Sequence, residues 1–273
     1  MPITGWTCPN CNQQVPLDHY DTDVKCGLVI HPAFAKAIVD DEAIPHYVEG
    51  ALTVTMGLTC PRSRALEHSD TPVYPNPLDY NALLVGRAWD ELITDSSTKI
   101  QLHGVIAGMK VSGEIDHVRR LGTDLLIEDW KNSNNNAQKF LKKEIAGGAA
   151  VKPEYRIQTS LYAELYFQQF GERATKGMIW NHYAGAPSAY NTVLIPLIYD
   201  IWPLEECLSY QPYGGDYTVL ELYQQASALY TDEPISWEQL PLVGKTMAFG
   251  TKSFCDYCQV RDACFIQAQN APF

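Results

Sequence analysis

The sequence predicts an α/β fold with a mixed sheet, and two observations carry this prediction. First, the spacing of apolar residues changes from helical steps before residue 95 to strand alternation after residue 100. Second, the predicted elements follow one another in the order helix, three strands, helix, strand, with extensions at both ends. With 273 residues, of which 46% are hydrophobic, the chain is long enough to bury a sizeable core.

The elements of the first half each have a local signal. Pro61 suits a first helical turn directly after Cys60. Residues 81–94 carry apolar side chains at three- and four-residue steps, which is typical of a helix with one buried face. Three strands follow, the first two of them joined by a tight turn near Gly108: residues 100–107, 110–119 and 125–130.

In the second half, Pro153 opens a helix that extends to Tyr166 with a stripe of apolar residues. Two further strands and a helix are predicted after it, over residues 178–183, 192–198 and 217–229. The chain then divides into three parts. They are a small N-terminal segment (1–50), a core (51–232) and a C-terminal cysteine segment (233–273) that packs back near Cys60.

The composition limits the class of protein. No apolar run is long enough to span a bilayer, and the first residues lack the pattern of a signal peptide, so we expect a cytoplasmic protein. The net charge of −12 lacks the basic footprint of many nucleic-acid-binding proteins. Metal-binding sites also concentrate carboxylates, so the acidity does not exclude a protein that acts on nucleic acid.

Three polar residues mark a candidate active site in the segment VSGEIDHVRRLGTDLLIEDWKNS. Asp129 and Lys131 are two apart on a strand and therefore point to one face, where Asp116 from the neighbouring strand can meet them. His117 should point away from this face. Two carboxylates that meet repel each other, and a divalent cation relieves the repulsion. Such a cation polarises a phosphodiester, while the lysine supplies a positive charge.

These residues resemble a known family. GEIDHV followed by IEDWKNS is similar to the paired motifs of RecB-like nucleases in the PD-(D/E)xK superfamily, and QTSLY matches the glutamine and tyrosine that follow them. Upstream, GRAWDEL resembles the helix in which the family has a metal-binding histidine, but Asp90 stands at that position, followed by Glu91. The resemblance spans most of residues 60–264 and implies a restriction-endonuclease-like core.

The resemblance also implies roles. Asp116 and Asp129 would bind Mg²⁺ or Mn²⁺, together with Asp90 or Glu91 and the Trp130 carbonyl. Lys131 would be the catalytic lysine, and Gln158 and Tyr162 would position the substrate. The implied function is a DNA exonuclease that acts on single strands or duplex ends. Its setting would be recombination, repair, phage DNA processing or CRISPR adaptation, with a helicase, recombinase or CRISPR adaptation protein as partner.

Two groups of cysteines predict two further metal centres. Cys8 and Cys11 have the two-residue spacing of a zinc knuckle, and Cys26 with either His31 or His19 would complete a zinc site. The family resemblance implies the second centre, a [4Fe–4S] cluster on Cys60, Cys255, Cys258 and Cys264, although four thiolates suit zinc equally well on chemistry alone. The remaining Cys207 is expected to be buried.

Two alternative functions stay open at this point. A nuclease-fold protein without activity could bind DNA or protein through its metal modules, and the replacement of the family's histidine by Asp90 favours this. A redox protein would use the cysteine cluster but would leave the carboxylates and Lys131 unexplained.

Overall fold

The structure is a computed structural model. It describes residues 5–7, 13–16, 50–67, 99–133, 152–183, 195–231, 235–249, 252–258, 260–261 and 264. Its first strands are β1 (Gly5–Thr7), β2 (Gln14–Pro16) and β3 (Leu52–Thr53), and helix α1 is Pro61–Glu67. The central elements are β4 (Ile100–Ile106), β5 (Met109–Ile115), β6 (His117–Leu121), β7 (Asp124–Ser133), α2 (Pro153–Phe170), β8 (Lys176–Tyr183) and β9 (Ile195–Asp200). The last elements are α3 (Leu204–Ser209), α4 (Val219–Ser227), β10 (Ala248–Phe249) and β11 (Lys252–Ser253).

The first sheet grows from a tight hairpin. Strands β4 and β5 pair antiparallel around Ala107 and Gly108, which have φ angles of +50° and +82°. Two positive φ angles in a two-residue connection match the right-handed twist of the flanking strands. Strand β3 adds to the other side of β5 in parallel, so the order is β3–β5–β4.

The second sheet begins where the predicted strand 110–119 is interrupted. The prediction of one continuous strand is wrong, because a bend at Asp116 separates β5 from β6 and sends them into different sheets. The four strands of the second sheet have the order β6–β7–β8–β9, in which β7 and β8 are parallel and the outer pairs antiparallel. The sequence therefore predicts a mixed sheet correctly but misses the change of sheet at Asp116.

Helix α2 packs against strands of both sheets. Its buried Ile157, Leu161 and Leu165 join one apolar cluster with Leu102 and Ile127. The stripe predicted for this helix is thus confirmed. The helix extends four residues beyond Tyr166 and ends at Gly171, whose φ of +74° gives the left-handed cap that glycine favours.

The C-terminal residues pack against α1. Val260 and Cys264 form a small buried cluster with Leu66 of that helix, and Phe254 and Met247 belong to a second cluster near Cys60. The helix predicted at Pro61 is confirmed, whereas the helix predicted over 81–94 lies outside the described residues. No helix in the described ranges is long and apolar enough to cross a membrane.

Candidate active site and cysteine region

The two faces of β7 differ in what they contact. Leu125 and Ile127 belong to the apolar core that includes α2, and Asp129 and Lys131 continue the same face because side chains alternate along a strand. Asp129 is 5% exposed, and its Oδ2 lies 2.6 Å from Lys131 Nζ. The Lys131 side chain keeps 21% of its surface exposed.

The bend between β5 and β6 places Asp116 beside this pair. The Asp116 carboxylate accepts a 2.8 Å hydrogen bond from the backbone N–H of Trp130, the residue between Asp129 and Lys131. This bond fixes the second carboxylate to the strand that carries the first. A continuous strand would pair at this position instead of bending, so the interruption is what brings Asp116 to the site.

Gln158 and Tyr162 face the same region from α2. Gln158 Nε2 donates a 3.1 Å hydrogen bond to the Tyr162 hydroxyl, which confirms that these buried side chains share a face of the helix. Burial raises the pKa of Tyr162, and the nearby negative charges of Asp129 and Asp116 raise it further. Burial by itself lowers the pKa of Lys131, but the charge and hydrogen bond of Asp129 outweigh burial and raise it. The site therefore keeps a protonated lysine beside a neutral tyrosine.

Gly113 makes room for the Tyr162 ring. A Cβ atom built on Gly113 would lie 2.5 Å from the ring's Cε1, closer than any real contact, and 3.1 Å from Val54. Only glycine fits here without displacing the ring. The signal was present in the sequence as the glycine three residues before Asp116.

Tyr155 is a neighbour of the site that the motifs did not indicate. Two ammonium groups approach its ring, with Lys131 Nζ 5.4 Å and Lys152 Nζ 5.5 Å from the ring centre. Each distance suits a cation–π contact. Tyr155 stands three residues before Gln158 on α2, and this helical spacing on the face of a predicted site residue was the available signal.

The opposite face of β7 holds a second buried carboxylate. Glu128 is 1% exposed, and Arg119 Nε lies 2.6 Å from its Oε1. His117 Nδ1 lies 3.0 Å from its Oε2, and the Trp180 indole N–H donates to the same oxygen at 3.4 Å. The Trp180 ring stacks on Trp130 with 5.3 Å between ring centres. His117 thus lies on the face away from Asp129, as expected.

The cysteine region joins distant parts of the chain. Burial raises the pKa of Cys255 to about 11, and the nearby thiols of Cys60, Cys258 and Cys264 contribute to the rise. Ser63 Oγ lies 3.6 Å from Cys258 Sγ. Cys207 is fully buried, as predicted. Burial raises its pKa to about 12.

Several predicted ligands lie outside the described residues: Cys8, Cys11, Cys26, His19, His31, Asp90 and Glu91. Within the described ranges, no group of three or more His, Cys, Asp or Glu side chains is arranged to hold a metal ion. The described part of the active site contributes two carboxylates, Asp116 and Asp129. Their oxygen atoms are the donor type that Mg²⁺ and Mn²⁺ favour.

Comparison with known proteins identifies the family. The sequence profile of the PD-(D/E)XK nuclease superfamily matches residues 33–265, which is most of the chain. The chain belongs to this superfamily. A crystal structure of the protein SSO0001 aligns with 85% of this chain and 94% of its own, with 12% sequence identity and a TM-score of 0.44. A search of curated proteins returned no match.

Membership gives the coarse chemistry. PD-(D/E)XK proteins are usually phosphodiesterase nucleases that use Mg²⁺ or Mn²⁺, and their fold implies DNA as substrate. The mixed α/β architecture described above suits such a core. The acid-rich composition therefore accompanies a nuclease fold, as the sequence allowed.

Proposed function

We propose that this chain is a RecB-like, metal-dependent DNA exonuclease that acts on single strands or duplex ends. The observation that carries the proposal is the buried Asp129–Lys131 pair, with Asp116 bonded to the peptide between them. Gln158 and Tyr162 from α2 complete the constellation. A protein that only bound DNA would have no physical need for two converging carboxylates next to a lysine.

In this proposal Asp116 and Asp129 hold Mg²⁺ or Mn²⁺, with Asp90 or Glu91 and the Trp130 carbonyl as further ligands. A cation held by these residues would supply a charge that polarises the phosphodiester and lowers the pKa of water. Lys131 supplies a positive charge to the phosphate as negative charge develops on it. Gln158 orients the Tyr162 hydroxyl, and the two side chains hold the substrate in place.

A cleavage assay with a matched pair of lysine variants tests this function. We expect the full chain to degrade end-labelled DNA with Mn²⁺ or Mg²⁺ and not with EDTA. Lys131→Ala should lose about 100-fold or more in rate, because it removes a charge that stabilises the transition state. The control is Lys176→Ala, which removes the ion pair between Lys176 and the exposed Asp200 in the same sheet.

Two results would count against the proposal. Full activity of Lys131→Ala would exclude this site, and the absence of cleavage on any substrate would favour a catalytically inactive DNA- or protein-binding module. The distribution of labelled products also separates an exonuclease, which releases products from an end, from an endonuclease.

We further propose that Cys60, Cys255, Cys258 and Cys264 bind one [4Fe–4S] cluster. The residues match such a cluster in number and donor type, and they influence one another electrostatically from both ends of the core, but within the described part of the chain no three of them are gathered in a metal-binding arrangement. Arg62 and Lys245 are close enough to oppose the pKa rise at these thiols, so positive charge is available to balance thiolate ligands. Zinc at the same residues is the alternative.

Metal analysis separates these two assignments. We expect iron and acid-labile sulfide in anaerobically purified protein, and their loss in Cys258→Ser. Cys207→Ser is the control, because Cys207 is a buried cysteine apart from the four. Zinc without sulfide would support the alternative, and retention of both iron and sulfide in Cys258→Ser would exclude this ligand set.

The remaining assignments rest on the sequence. We propose a zinc site on Cys8, Cys11, Cys26 and His31, with His19 as the alternative fourth ligand. We also propose a cytoplasmic nuclease that works with a helicase, a recombinase or a CRISPR adaptation protein. Zinc content of Cys11→Ser tests the first assignment, since that change should remove one zinc ion and leave any iron.

A further inference from the structure

A series of contacts connects the C-terminal cysteine segment to helix α2, which carries Gln158 and Tyr162. Its first contact joins Phe254, the residue before Cys255, to Tyr213. The two rings meet edge to face, with 4.6 Å between their centres and 60° between their planes. This geometry is favourable for aromatic pairs. The position of Tyr213 therefore depends on the segment that carries Cys255.

The backbone of Tyr213 forms the second contact. Its N–H donates a 2.8 Å hydrogen bond to the Glu154 carboxylate, which is 6% exposed in the first turn of α2. Tyr213 has φ +55° and ψ +27°, a left-handed conformation that is uncommon for residues with a side chain. Such a conformation persists where the surroundings hold it. Here the Phe254 ring and the Glu154 carboxylate do so from two sides.

The third step reaches the active site. Glu154 is followed by Tyr155, whose ring contacts Lys131, the proposed catalytic lysine. Gln158 is one helical turn further along α2. A small rotation of the first turn of α2 would therefore move both the aromatic neighbour of Lys131 and the substrate-positioning glutamine.

We propose that Tyr213 and Glu154 are positioning residues through which the cysteine segment fixes the position of the first turn of α2. The proposal rests on the proposed nuclease function, because it assigns the role of these residues in that reaction. It gives a role to the buried Glu154 carboxylate, which accepts the Tyr213 N–H at this end of α2.

Four variants of the full-length protein test the coupling. Phe254→Leu removes the ring contact, and Glu154→Leu removes the acceptor of the Tyr213 N–H. Glu154→Gln keeps an acceptor oxygen and should behave like wild type. Phe170→Leu is the control, because it removes a ring contact of the same 4.6 Å spacing, with Tyr166, at the other end of α2.

Two readouts are needed. We expect Phe254→Leu and Glu154→Leu each to lower kcat about tenfold with little change in KM for DNA, because a misplaced catalytic group slows the chemical step. The double variant should be no slower than the slower single variant, since both changes break one connection. Amide hydrogen exchange of residues 152–158 should accelerate in both variants, but not in Phe170→Leu or Glu154→Gln.

The outcomes separate the two proposals. If wild type cleaves DNA and neither kcat nor exchange changes in the two variants, the coupling is wrong. Faster exchange with unchanged kcat would also reject the positioning role. If the wild-type protein does not cleave DNA, the proposed nuclease function is wrong. Amide hydrogen exchange alone then tests the connection between the cysteine segment and α2. Iron content of Phe254→Leu shows whether that variant acts through metal loss, and Glu154→Leu carries the test if it does.

Discussion

Two neighbouring carboxylates on β7 have opposite surroundings. Glu128 points away from α2 and is held by Arg119, His117 and Trp180, so its charge is met by groups of the protein. Asp129 points towards α2 and pairs with Lys131, beside a second carboxylate at Asp116. The exposed fractions are similar, 1% and 5%, so burial alone does not distinguish them.

The difference separates a carboxylate that stabilises the fold, Glu128, from one that is suited to catalysis, Asp129. A buried charge that is paired with cationic and hydrogen-bonding groups of the protein contributes to the fold and has little capacity for a ligand. A carboxylate that shares its region with another carboxylate is suited to bind a cation. Substitutions of Glu128 and Asp129 should therefore give opposite results.

The largest expected effect is the loss of cleavage in Asp129→Asn. An amide is a poorer ligand for Mg²⁺ than a carboxylate, and we expect kcat to fall by about 100-fold or more. Glu128→Gln is the matched control, one residue away and equally conservative, and should retain at least half of the activity. Equal losses in both variants, measured with end-labelled DNA and saturating Mn²⁺, would remove the distinction between the two faces.

For stability we expect the opposite order, with Glu128→Gln the more damaging of the two substitutions. Glu128→Gln replaces a charged acceptor of three donors, which should cost about 1–3 kcal/mol. The melting temperature should fall by about 2–4 °C for each kcal/mol in a chain of this size. Arg120→Gln on the neighbouring strand β6 removes an exposed ion pair with Glu172 and should change the melting temperature little. A Glu128→Gln protein as stable as wild type would show that this network does not support the fold.

The charge of Lys131 gives a test that depends on pH. Because Asp129 raises the pKa of Lys131 above its ordinary 10.5, the pair stabilises the fold at lower pH and loses this contribution as the pH rises through the raised pKa. In Asp129→Asn the effect of burial remains without its opposing charge, so the pKa of Lys131 should fall below that of wild type. NMR titration of the lysine side chain in both proteins measures this. An unchanged pKa would mean that other groups control the lysine.

The sequence predicts the parts of this site that lie on regular elements. Asp129 and Lys131 share a face because they are two apart on a strand, and Gln158 and Tyr162 because they are four apart on a helix. Both relations depend only on local geometry, and both are found. The burial of Cys207 follows similarly from its apolar character.

The remaining features depend on contacts between distant segments. The bend at Asp116 has no glycine or proline at its centre, and a single aspartate is a weak turn signal, so the sequence suggests one strand where two sheets meet. The fit of the Tyr162 ring against Gly113 and the contact between Phe254 and Tyr213 join residues far apart in the chain. Periodicity carries no information about such pairs.

The smallest expected effect is at the edge of the Glu128 network. Trp180→Phe keeps an aromatic ring to stack on Trp130 but removes the indole N–H, whose 3.4 Å bond to Glu128 is long. Because Arg119 and His117 still contact the carboxylate, the loss should be less than about 1 kcal/mol, with cleavage unchanged. Chemical denaturation measures the free energy of unfolding. A loss as large as that of Glu128→Gln would mean that Glu128 depends on every donor. The stability of this face of β7 would then come from cooperativity within the network rather than from the ion pair with Arg119.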